Sequence, residues 1–102
     1  MSRGPDAATL LRRALDRHAA RCGITLTWHA VVSCRWASAT FVGAQHRIAL
    51  TITGTGLDAW IGELDEVDLQ MRGHLVADVV VTTITRTADQ AELRVEVLTV
   101  ET

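Results

Sequence analysis

The chain contains no lysine, no tyrosine and no asparagine, and all ten of its basic residues are arginine. Without lysine there is no ordinary phosphate-binding loop: Gly54-Thr-Gly56 has neither the further glycines nor the lysine of that motif. A net charge of −2 with no lysine also argues against broad contact with a nucleic-acid backbone. The missing asparagine removes the Asn-Gly hairpin signal. Cysteine is scarce, and Cys22 and Cys34 form no CxxC pattern, so reduced thiols are expected rather than a disulfide framework. No apolar run approaches the roughly 20 residues that cross a bilayer, and none of signal-peptide length follows Met1-Ser-Arg-Gly-Pro-Asp6. No nucleophile elbow or Ser/His/Asp ordering is visible. These absences lead to the expectation of a cytoplasmic protein that engages neither membrane nor nucleic acid and needs no cofactor. The all-arginine basic set fits a bacterial-like, GC-rich coding sequence.

What is present is a long alternation. Ile24, Leu26, Trp28, Ala30, Val32, Cys34 and Trp36 take every even position from 24 to 36, and most odd positions between them are polar. Period two over that length predicts a β-strand of roughly 40 Å with one apolar face. Val42, Ala44, Ile48, Leu50 and Ile52 repeat the pattern in a second strand over about 40–53. Like faces meet if Leu26 lies opposite Leu50, Trp28 opposite Ile48 and Cys34 opposite Val42, with a turn at 37–39.

Before this hairpin, Asp6 is placed to cap a helix over about 7–22. Leu11, Ala14, Leu15, His18 and Cys22 form its inward stripe, Arg13, Arg17 and Arg21 a second stripe, and Gly23 ends it. After the hairpin, Thr55 and Asp58 resemble a capping box. Leu57, Trp60, Ile61 and Leu64 then make a short amphipathic helix over about 56–65, and 65–72 reads as extended. A third strand over 74–87 and a fourth over 91–101 meet at Ala88 and Asp89, with Leu93, Val95 and Val97 facing one way. Residues 1–5 read as a flexible tail. Residues 6–102 read as one α+β domain in the order helix–hairpin–short helix–hairpin (αββαββ), a four-stranded antiparallel sheet with the helices on one face.

Apolar surface is left over. The first helix, roughly 24 Å long, is shorter than the hairpin, so Cys34, Trp36 and Val42 are left for the short helix with Trp60 or for another chain. The third strand is apolar on both parities, with Val76, Val80 and Ile84 on one and Leu75, Val79 and Val81 on the other. Leu98, Val100 and Val31 add to the surplus, which on a monomer marks an interface or a ligand groove. Trp36, Val76, Val80, Ile84 and Leu98 are the interface candidates. Residues 1–51 carry a net +5 and residues 52–102 a net −7, which favours packing one half on the other within or between chains. The first functional reading is a non-catalytic binding or assembly module acting as a homodimer.

The alternative is a small-molecule-binding protein, or a small lyase- or isomerase-like enzyme, with a pocket between helix and curved sheet. Its candidate groups are Asp78, His29 and His46. Asp78 sits mid-strand among apolar residues, and burial would favour its neutral form, as acid–base work requires. His74 lies on the same strand face but about 13 Å away, and His29 meets Asp78 only if their strands are neighbours. His18 and Cys22, at i and i+4, with His46 and Cys34 are residues of metal-ligand type. They lie too far apart along helix and strand for one ion, so no metal site is expected. Trp28 and Trp60 read as core. The Arg13/Arg17/Arg21 stripe reads as a solvated face or as pairing with Glu63, Asp65, Glu66 and Asp68.

Overall fold

A computed structural model describes residues 6–102. The expected tail at 1–5 lies outside the described residues. Helix α1 (Ala7–Arg21) starts where Asp6 accepts a hydrogen bond from the Thr9 amide at 2.9 Å, the N-cap that the sequence predicts. Leu11, Ala14, Leu15 and Ala19 form its buried stripe. Cys22 is exposed instead of closing that stripe, because it is already the C-cap, and Gly23 turns the chain at φ 75°.

Strands β1 (Ile24–Ala37) and β2 (Val42–Gly54) form the first hairpin, and β3 (His74–Arg86) and β4 (Gln90–Glu101) the second. Between them lie α2 (Leu57–Glu63) and a 3-10 turn at Leu64–Glu66. The sheet is antiparallel throughout, in the order β1-β2-β4-β3. The hairpins therefore join through their second strands, and β1 and β3 are the edges. Both helices lie on one face, here the inner face. Leu15 of α1, Trp60 of α2, Leu64 and Leu69 close over Ile48, Leu50, Val79, Val95 and Val97. The two helices also meet directly, as the Trp60 indole N–H donates to Nδ1 of His18 at 3.1 Å. This is the α+β architecture expected from the sequence.

The register differs from the expectation for two reasons: the turn at 38–41 sets Ala37 opposite Val42, and β-bulges on the edge strands shift the pairing again. Leu26 faces Ile52 and Trp28 faces Leu50, and then the pairing slips by one residue at His29. Beyond the bulge Val31 faces Ile48, Ser33 faces His46 and Cys34 faces Gln45. A one-residue slip exchanges the two faces. Even residues therefore point inward only as far as Trp28, whereas Val32, Cys34 and Trp36 turn outward. Strand β3 carries two further slips, at Ala77 and Thr82. They place Val76, Val79, Val81 and Ile84 opposite Thr99, Val97, Val95 and Leu93, all on the inner face. A strand that reads as apolar on both sides thus gathers most of its valines on one. Leu75 and Val80 remain outward, at 58% and 45% exposure.

Smaller corrections have local causes. The first turn spans 38–41, where the Ser38 amide donates to the Phe41 carbonyl at 2.7 Å. Thr55 does not cap α2, because the N-cap is Gly56 with φ 72°, a conformation in which a side chain would be strained. Part of 65–72 is the 3-10 turn rather than extended chain. An ion pair between Arg86 and Asp58, at 3.1 Å, ties α2 to the end of β3. Trp28 is half-buried beside the core, its indole N–H donating to Asp16 at 2.8 Å with the Arg12 guanidinium 5.3 Å from the ring centroid. No helix among the described residues is long and apolar enough to cross a membrane.

Candidate functional site

Two regions are left without a structural explanation, one on each face of the sheet. The outer face carries no helix. Cross-strand pairing orders it in rows: Trp36, Gly43, Val100 and Leu75; then Cys34, Gln45, Leu98 and Asp78; then Val32, Arg47, Glu96 and Val80. Val32 is 62% exposed. A Cβ at Gly43 would collide first with the Thr99 carbonyl oxygen and would also come within 2.8 Å of the Trp36 ring, so only glycine fits there. The Trp36 indole N–H is buried and makes no hydrogen bond. Arg47 and Arg94 line the two central strands beside Glu92 and Glu96. None of the four forms an ion pair, the two pairs among the described residues being Arg35–Glu101 and Arg86–Asp58.

The second region is a cleft of about 390 Å³ on the inner face, at the N-terminal end of α1. It opens where the helix stops and the hairpin continues, which is the overhang expected from their lengths. Of the expected occupants of the overhang, Val42 keeps the inner face, but Cys34 and Trp36 have turned outward, and Trp60 lies further along the sheet beside Leu50. In their place the bulge at His29 brings Ser33 and Arg35 inward, opposite His46 and Ala44.

His46 is fully buried at the floor of the cleft, between two hydroxyls. Ser33 Oγ lies 2.7 Å from its Nδ1, and Thr99 Oγ1 lies 3.0 Å from its Nε2. The Thr99 hydroxyl donates to the Ala44 carbonyl at 3.3 Å. With its one hydrogen assigned to that bond, Thr99 accepts from Nε2–H, and the tautomer is assigned accordingly. Nδ1 is then the acceptor, and the Ser33 hydroxyl donates to it. Burial holds the His46 pKa below its usual value, with the Asp6 carboxylate pulling it up and His74 pushing it down. The walls are Asp6, Ala7 and Ala8 from α1, and Arg35, His74 and Glu101 from the strand ends. Nδ1 of His74 is buried without a hydrogen-bond partner. Arg35 and Glu101 approach to 3.8 Å, with their side chains 76% and 46% exposed.

The structure places the residues singled out from the sequence as follows. His46 is in the cleft. Asp78 is exposed on the outer face rather than buried, because the bulge at Ala77 separates it from the inward Val76 and Val79. That same bulge puts Asp78 on the opposite face from His74. His29 sits at the β1 bulge, bonded to Thr51 at 2.7 Å. Its strand and that of Asp78 are the two edges of the sheet, about 14 Å apart across three strand spacings, so they form no acid–base pair. Trp36, Val80 and Leu98 share the outer face, whereas Val76 and Ile84 are on the inner one, where Ile84 stays 51% exposed. Among the described residues no three His, Cys, Asp or Glu side chains gather as a metal would require. Arg13, Arg17 and Arg21 are exposed and form no ion pair with the acids at 63–68. The sequence pattern does not single out Ser33, Thr99 and Glu101, since a strictly alternating β1 puts Ser33 on the other face. Val31, apolar at an odd position, was the one sign of the slip.

No known protein family, curated protein or solved structure matches this chain.

Proposed function

We propose that this chain is a non-catalytic binding module that works as a homodimer, two copies stacking outer face on outer face. The observation that carries the reading is the uncovered sheet face, apolar at its edges and charged at its centre, with Val32, Leu75 and Val80 exposed and with Arg47 and Glu96 in no ion pair, Glu96 accepting from Gln45 at 3.4 Å. Its area supports the same reading. Four strands about 4.8 Å apart and about ten residues long present roughly 600 Å² per copy, which gives about 1,200 Å² in the dimer, the lower end of the stable class.

The pattern is self-complementary about a two-fold axis running along the strands midway between β2 and β4. Such an axis lays β1 on β3 of the partner and β2 on its β4. Val32 then meets Val80 of the partner subunit, Trp36 meets the partner's Leu75, and Arg47 meets the partner's Glu96. Sheets stacked this way keep their strands within about 30° of one another. The isologous contact closes on itself and leaves no free end to propagate. We place the dimer in the cytoplasm, where the free thiols of Cys22 and Cys34 stay reduced.

The test is solution mass by light scattering over a range of concentrations. The expected result is a dimer, with Val80→Asp giving a folded monomer by circular dichroism. A wild-type monomer, or a Val80→Asp protein that remains dimeric, refutes the reading. A Val32→Cys/Val80→Cys double variant, made with Cys22→Ser and Cys34→Ser to remove the native exposed thiols, gives the finer check: under oxidation it should cross-link into covalent dimers, whereas each single variant in that background should not.

A further inference from the structure

We infer that the inner-face cleft at the start of α1 is a binding site for a small primary amine in its ammonium form. It lies on the opposite face from the proposed dimer contact and does not rest on it. The argument is one of donors and acceptors. The hydrogen-bond chain runs from Ser33 to His46, from His46 to Thr99 and from Thr99 to the Ala44 carbonyl. Each hydroxyl carries one hydrogen, and both are spent inside the chain. Ser33 therefore turns lone pairs to the cleft, and the floor accepts rather than donates.

The walls have the same bias. Asp6 and Glu101 add carboxylates from opposite sides, one on α1 and one at the end of β4. The Asp6 carboxylate is held by the Thr9 amide and by the Thr9 side chain, and a carboxylate has further lone pairs to offer the cleft. Among the described residues Arg35 is the one full positive charge in the lining, and its approach to Glu101 is long and solvent-exposed, a contact of small worth. With His46 held neutral, the formal charge of the lining is −1, from Asp6, Glu101 and Arg35 together. An ammonium group offers three donors and one positive charge, matching three acceptors and that deficit.

The remaining lining sets the size. Ala7, Ala8, Gly43 and Ala44 leave room for a short carbon chain, and about 390 Å³ is at the small end of ligand-site volumes. A short primary amine of two or three carbons is thus the best match.

The probe is ethanolamine, with acetate as the anionic control, titrated into the full chain and followed by amide and imidazole NMR shifts. Ethanolamine should give saturable shifts at Ser33, His46 and His74, and acetate none there. Ser33→Ala should weaken binding about tenfold, since it removes a hydrogen bond to a charged group. Ser33→Thr, which keeps the hydroxyl, should restore it. Glu101→Gln, on an exposed side chain, should weaken it by up to about fivefold. Asp6→Asn, which keeps the helix cap, should act in the same direction. Absence of saturable shifts with ethanolamine overturns the inference. So does a preference for acetate, or equal affinity in the wild type and in Ser33→Ala.

Discussion

The two faces of the sheet are built from the same four strands and have opposite fates. On the inner face Leu50, Ile52, Leu93, Val95 and Val97 are all at most 3% exposed, closed under α1 and α2. On the outer face Val32, Leu75 and Val80 keep about half or more of their surface. Composition does not separate the faces, since both contain valines and leucines. Coverage does, and coverage follows from the bulges, which decide strand by strand which side chains reach the helices. The inner face carries the core of the fold, and the outer face leaves its apolar side chains uncovered.

The largest test of this contrast is a pair of truncations. Leu50→Ala, at 2% exposure among tightly packed neighbours, should lose about 2–5 kcal/mol of unfolding free energy. Val32→Ala, in the monomeric Val80→Asp background, should change it by less than about 0.5 kcal/mol. Urea melts of both variants make the comparison. Similar losses would mean that the outer face is part of the folding core after all.

A charge exchange probes the outer face alone. Arg47→Glu sets like charges against each other across the proposed contact and should raise the dimer dissociation constant by about 2 kcal/mol, or roughly thirtyfold. Arg47→Glu combined with Glu96→Arg should restore most of that affinity. Sedimentation at several concentrations reads both. Failure of the double variant to recover would break the proposed pairing of β2 with the partner's β4 while leaving self-association itself standing.

The element order and the inner stripe of β4 are legible in the sequence because they follow from local periodicity. The fate of β1 beyond Trp28 is not. Each bulge adds one residue, and nothing in the residues of edge strand β1 demands the slip at His29 except Val31, whose inward position the slip explains. In β3 the trace is stronger. Val76, Val79, Val81 and Ile84 change parity twice, and two bulges are what put all four on one side. Asp78 misleads for the same reason, since its apolar neighbours in sequence are across the sheet in space. The cleft was half visible: His46 could be identified, but Ser33 and Thr99 reach it only through pairing that spans 13 and 53 residues of chain.

At the cleft end of the inner face, where apolar cover runs out, a loss of intermediate size is expected. Asp6→Ala removes the one side-chain cap of α1 and should lower stability by about 1 kcal/mol. Asp6→Asn should retain most of it at neutral pH. The thermal midpoints of the two variants separate the capping bond from the charge. Because that bond holds the Asp6 pKa below its ordinary 3.8, the carboxylate's share of stability is complete above that value and is lost as the pH falls below it.

The smallest expected effect lies in the pH dependence of the same region. Burial lowers the His46 pKa from its ordinary 6.5, so the folded chain resists a proton that the unfolded chain accepts. As pH falls through about 6.5 the unfolded state binds more protons than the folded one, and stability declines with it. The contribution is complete above that value, and its loss ends once the lowered folded pKa has been passed. Protonation would also put a hydrogen on Nδ1, which now accepts from Ser33, so the hydroxyl would have to rotate and turn its own hydrogen into the cleft. His46→Gln removes the titrating group, and urea midpoints across this window should then be flatter than in the wild type. An unchanged slope would mean that His46 titrates as freely in the folded protein as in the unfolded chain, and the polar end of the inner face would then be as open to water as the outer face.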